Sequence, residues 1–72
     1  EVEIFQPQLA ADSVLVDKKI SKLKFPEDCI IVAVLRGYDV IIPRGDTVLQ
    51  TNDTLITLAK KEGKEAFTKL FL

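Results

Sequence analysis

The residues able to do chemistry are few. The chain has no histidine and a single cysteine, Cys29. Histidine is the commonest general acid-base group and the usual partner of a nucleophile, so nucleophilic catalysis has no obvious machinery here. Cys29 opens the most apolar run of the chain and reads as a buried structural thiol rather than a reactive or zinc-binding one. Asp39, Asp46 and Asp53 each stand at a turn signal, where aspartate is expected for backbone reasons. The sequence therefore predicts no enzyme, no catalytic residue and no metal site. The three glycines, Gly37, Gly45 and Gly63, form neither a phosphate loop nor a dinucleotide fingerprint, so no cofactor is expected. Arg44-Gly45-Asp46 spells an adhesion tripeptide, but three residues recur by chance and here mark a turn between strands.

What remains is anion recognition and assembly. Lys18, Lys19, Lys22 and Lys24 make a basic patch, and Arg36 and Arg44 flank a short strand. Either set could rim an anionic ligand, arginine being suited to bidentate phosphate contact. A net charge of −1 gives no bulk drive toward nucleic acid. Hydrophobic residues make up 47% of a 72-residue chain. So short a chain buries only about 60% of its unfolded surface. Some apolar surface is expected to be shared with a partner, and a homodimer is the simplest partner.

The elements that must position these residues are legible in part. Glu1–Gln6 alternates as a half-buried strand, which Pro7 ends. Val16, Ile20 and Leu23 recur at i, i+4 and i+7, which predicts a short helix capped by Ser13 or Asp17 and stopped at Pro26. Cys29–Leu35 is an unbroken apolar run and reads as a central strand. Arg36-Gly37-Tyr38-Asp39 is a hairpin connection, and Val40-Ile41-Ile42 is the return strand. Residues 44–53 hold two tight turns, with Val48-Leu49 dipping into the core between them, and Thr54–Ala59 is the last strand. Lys60–Lys64 reads as a charged loop and Glu65–Leu72 as a second helix. The expected fold is α+β, a small, mostly antiparallel sheet of about four main strands with two short helices. If Ile30–Val34 is covered on one face by the first helix, its other face needs either the last helix or the same sheet of a second subunit, and in the second case Ile30, Val32 and Val34 are the expected dimer interface. The chain begins at Glu1 rather than methionine, so residues 1–72 read as one domain of a longer protein. The lone cysteine and the lack of a membrane-length or signal segment fit a cytoplasmic location.

The ordered text resembles the C-terminal regulatory domain of the TrkA/RCK family, the ligand-gated cytosolic modules of potassium transporters and channels. The resemblance is carried by Ser13-Val14-Leu15-Val16-Asp17-Lys18-Lys19-Ile20-Ser21-Lys22-Leu23, by Ile31-Val32-Ala33-Val34-Leu35-Arg36-Gly37, and above all by Ile42-Pro43-Arg44-Gly45-Asp46-Thr47-Val48-Leu49 with Asn52-Asp53-Thr54-Leu55 following. Asp17 and Asn52 stand where the family carries glycine; asparagine tolerates positive φ, so the second turn should survive. The resemblance implies a homodimeric regulatory domain joined to a nucleotide-binding RCK N-terminal domain or a membrane transporter subunit. It also implies a cleft between two copies for a small anionic ligand such as a cyclic di-nucleotide. In relatives that bind such ligands an asparagine precedes the isoleucine matching Ile31, where this chain has Ile30, and an arginine falls near Lys24. The candidate ligand-binding residues are Lys24, Ile30, Ile31, Arg36, Pro43 and Arg44. The expected function is regulation of a potassium or other cation transport system. The alternative is a structural oligomerisation module of a cation/proton antiporter or other transporter, without a ligand of its own.

Overall fold

A computed structural model describes all of residues 1–72. Four strands, β1 (Glu3–Phe5), β2 (Cys29–Arg36), β3 (Asp39–Ile41) and β4 (Thr54–Ala59), form one antiparallel sheet in the order β1-β4-β2-β3. The helix α1 (Lys61–Phe71) follows β4. The β2–β3 hairpin closes through Gly37-Tyr38, with Arg36 opposite Asp39. Positive φ at Gly37, the first central residue, is what a type II′ connection requires.

One face of the sheet is covered and the other is open. Along β4, Leu55, Thr57 and Ala59 point into the core, and Thr54, Ile56 and Leu58 point away from it. The core gathers Leu9, Leu15, Ile31, Val34, Leu49, Leu55 and Phe67. Phe67 of α1 is fully buried and meets Phe5 edge-on, with ring centroids 5.5 Å apart. Phe71 is covered by Phe25 and Phe67.

Two expectations about helices are corrected. No helix forms over Val16–Leu23; only Ile20–Lys22 makes a 3-10 turn. The apolar residues there do face the core, but the backbone amides find partners elsewhere. Asp17 N–H donates to the Leu49 carbonyl at 2.8 Å, Leu49 N–H donates to Lys18 at 3.0 Å, and Asp17 takes φ 67°. A left-handed residue and bonds to residues some thirty positions later leave no continuous i to i+4 ladder. The last helix, in turn, begins at Lys61, so the expected charged loop is its first turn. Gly63 allows this: a Cβ there would stand 2.2 Å from the Asp28 carbonyl oxygen.

The strand β2 also departs from simple alternation. Ile31 lies opposite Thr57, but Ala33 lies opposite Ile56, so Val32 is an extra residue in a β-bulge. The bulge shifts the side-chain parity. Val34, expected on one face with Ile30 and Val32, turns inward and is fully buried. The two turns of residues 44–53 form as read, with Thr47 N–H donating to Arg44 and Asp53 N–H to Gln50. Leu49 enters the core, whereas Val48 remains partly exposed.

Candidate ligand cavity and open sheet face

A cavity of about 270 Å³ opens where β2 begins. Cys29, Ile30 and Ile31 form its floor from β2, and Pro43, Arg44 and Gly45 form one wall just after β3. Ile20 and Phe25 complete the lining. The two loop segments are tied together: Ser21 N–H donates to the Gly45 carbonyl at 2.8 Å and Ile20 N–H to the Thr47 carbonyl at 3.0 Å. Gly45 lets them approach, since a Cβ there would already press on Ser21 Cβ at 3.3 Å. Arg44 is the one charged residue of the lining, and no carboxylate pairs with it. The turn behind Arg44 is braced by its own N–H donating to Thr47 Oγ1 at 2.9 Å. Burial pushes the Cys29 thiol up from its ordinary pKa, which keeps it protonated and apolar in character.

The open face adjoins this cavity through Ile30. Ile4, Leu58 and Ile30 stand side by side across β1, β4 and β2. The next rows are Ile56 with Ala33, then Thr54 with Leu35 and Val40. No charged residue interrupts these rows. Ile4, Ile30 and Val40 are each about 60% exposed or more, at 64%, 59% and 65%. Apolar surface of this extent on a small domain calls for a cover.

The structure brings four of the six candidate ligand residues together: Ile30, Ile31, Pro43 and Arg44. It does not bring Lys24 or Arg36 there. Lys24 is exposed and lines no cavity. Arg36 is committed to the fold. Its Nε donates to Asp53 Oδ1 at 2.9 Å, and its Nη2 to Asp53 Oδ2 at 2.8 Å and to the Val48 carbonyl at 2.9 Å. Gln50 N–H donates to the same carboxylate at 2.9 Å, and Asp53 is fully buried. Burial pushes the Asp53 carboxyl up, but the Arg36 hydrogen bonds, the Gln50 amide and the Arg36 charge outweigh it and hold the pKa below the usual carboxylate range. The same pairing raises Arg36.

Sequence reasoning missed Ile20, Phe25, Cys29 and Gly45 as lining residues, and Ile4, Ile56, Leu58 and Val40 as surface. For two of these the signal was present: β4 carries apolar residues on both faces, Leu55 and Ala59 on one and Ile56 and Leu58 on the other. No group of three or more metal-ligating side chains converges anywhere in the chain.

The domain is a small antiparallel sheet with one helical layer, an open apolar face and a cavity beside it. The TrkA-C domain model matches residues 8–72, and the chain belongs to that family. It is 35% identical over 71 residues to the Trk system potassium uptake protein TrkA homolog 2 of Methanosarcina mazei, covering 99% of this chain and 16% of the relative. It is 40% identical over 57 residues to the TrkA homolog of Archaeoglobus fulgidus, covering 79% of this chain and 13% of the relative. Against the TrkA of Mycobacterium tuberculosis it is 38% identical over 55 residues, covering 76% and 25%. The chain thus spans a quarter or less of the length of these relatives. A solved structure described as an RCK domain with cda superposes with a TM-score of 0.80 at 25% identity, covering 96% of this chain and 97% of that one. The α+β fold and the kinship with Trk system potassium uptake proteins stand on these matches. No helix is long and apolar enough to cross a membrane.

Proposed function

We propose that this domain is a dimerising, ligand-binding regulatory module of a potassium or other cation transport system. The observation that carries the reading is one residue's double position: Ile30 belongs both to the open apolar face and to the cavity floor. If two copies bury their open faces against each other about a two-fold axis, each cavity comes to the edge of the shared interface. A small anionic ligand such as a cyclic di-nucleotide would set a charged group on Arg44 and an apolar or aromatic part against Ile30, Ile31 and Pro43. That the related RCK domain is described with cda supports a ligand at such a domain. A ligand touching both copies favours one arrangement of the pair over another. The shift would pass to a nucleotide-binding RCK N-terminal domain or a membrane transporter subunit, which would place the module on the cytoplasmic side.

Calorimetric titration with a cyclic di-nucleotide tests the reading. The wild type should bind, Arg44→Glu should weaken binding at least about tenfold, and Lys24→Glu should leave it unchanged. A second reading, oligomerisation without a ligand, is favoured by the apolar Ile30 at the cavity floor. It would stand if the wild type binds nothing while Arg44→Glu leaves transport regulation intact.

A further inference from the structure

Residues 17–24 hold Lys18, Lys19, Lys22 and Lys24 against one acid, Asp17, so this segment carries +3 while the rest of a chain of net charge −1 carries −4. All four lysines are exposed. The ion pairs of the domain are Arg36–Asp53 and Lys64–Glu3, and none of the four takes part in either. The segment is a fixed ribbon: its backbone is pinned to residues 45–49 through Lys18, Ile20 and Ser21. Val16, Ile20 and Leu23 pack against the core, which leaves the lysines on the outer side. Exposed apolar side chains flank them, Val14 before the ribbon and Val48 in a bridge with Lys19.

None of the four lysines lines a cavity. They do not enclose a small molecule, and their charge faces outward. Lysine is a hydrated point charge on a flexible stem, suited to a diffuse field rather than to planar bidentate recognition of one carboxylate. The separation of +3 from −4 would turn the ribbon toward a negative surface and the remainder away from it. We propose that the ribbon docks this domain on the anionic headgroups of a phospholipid bilayer, with Val14 and Val48 entering the headgroup layer. The inference does not depend on the ligand cavity.

Flotation with vesicles tests it. The protein should float with phosphatidylcholine vesicles containing phosphatidylglycerol, remain behind with pure phosphatidylcholine, and be released by salt. Replacing Lys18, Lys19, Lys22 and Lys24 by glutamine should lower the partition coefficient about 1,000-fold. The same replacement at Lys60, Lys61, Lys64 and Lys69 should have a far smaller effect, with circular dichroism confirming that each variant is folded. Failure to float with anionic vesicles at low salt would overturn the proposal, as would equal losses in the two variants. Binding to polyglutamate without binding to vesicles would also overturn it and assign the ribbon to an acidic protein.

Discussion

Replacing Asp53 by alanine probes how the turns are held to the sheet. The carboxylate is fully buried and receives two hydrogen bonds from Arg36 and one from the Gln50 amide. Its backbone joins the same knot: Leu9 N–H donates to the Asp53 carbonyl at 2.8 Å. Removing one member of a buried pair costs about 3–5 kcal/mol when the other is left buried. Arg36 retains 30% side-chain exposure and keeps the Val48 carbonyl, so it can partly rehydrate. The expected loss is therefore about 2–4 kcal/mol. Against a total of roughly 4–10 kcal/mol for a chain of this size, that is a large share. Urea unfolding followed by circular dichroism measures it. The dependence on pH gives a second check. Folded Asp53 titrates below its unfolded value of about 3.9. Its contribution is fully present above that value and is lost as pH falls through the lower, folded one. The gap between wild type and Asp53→Ala should thus be widest near neutrality and close in strong acid. A difference below about 1 kcal/mol at neutral pH, or one that ignores pH, would refute the reading of this pair as the clamp on the turns.

Three further outcomes follow from backbone and burial. Gly63→Ala should destabilise by about 2 kcal/mol or more, since the new methyl meets the Asp28 carbonyl at 2.2 Å and α1 must move, as thermal unfolding would show. Asp17→Gly should stabilise by up to about 1 kcal/mol, because Asp17 stands at φ 67° without a capping role; chemical unfolding reads it. The Cys29 thiol should react with iodoacetamide more slowly than a free cysteine near pH 8, because burial raises its pKa and lowers the thiolate fraction.

What the sequence made legible was set by near neighbours. The hairpin at Gly37, the turns of residues 44–53 and the positive φ of Asn52 all follow from local residue chemistry, and the structure contains them. The last strand, Thr54–Ala59, was equally readable, but which of its residues face inward was not, since apolar residues fall on both faces. What escaped depended on distant partners. The helical spacing of Val16, Ile20 and Leu23 is real, but bonds from residues 17–21 to residues 45–49 take the backbone out of the helix. Nothing in the text of Ile31-Val32-Ala33 marks the bulge that turns Val34 inward. Arg36 reads as a free cation until Asp53, seventeen residues later, is brought against it. The cavity was half legible, since Ile30, Ile31, Pro43 and Arg44 converge while Lys24 lies outside it.

The central claim is that the open face, rather than any other surface, joins two copies. Sedimentation velocity of the wild-type chain beside Val32→Glu and Val40→Glu tests it most directly, because both side chains are exposed and their replacement leaves the core intact. The wild type should be a dimer at micromolar concentration and both variants folded monomers. A wild type that stays monomeric, or variants that dimerise as well as it does, would contradict it.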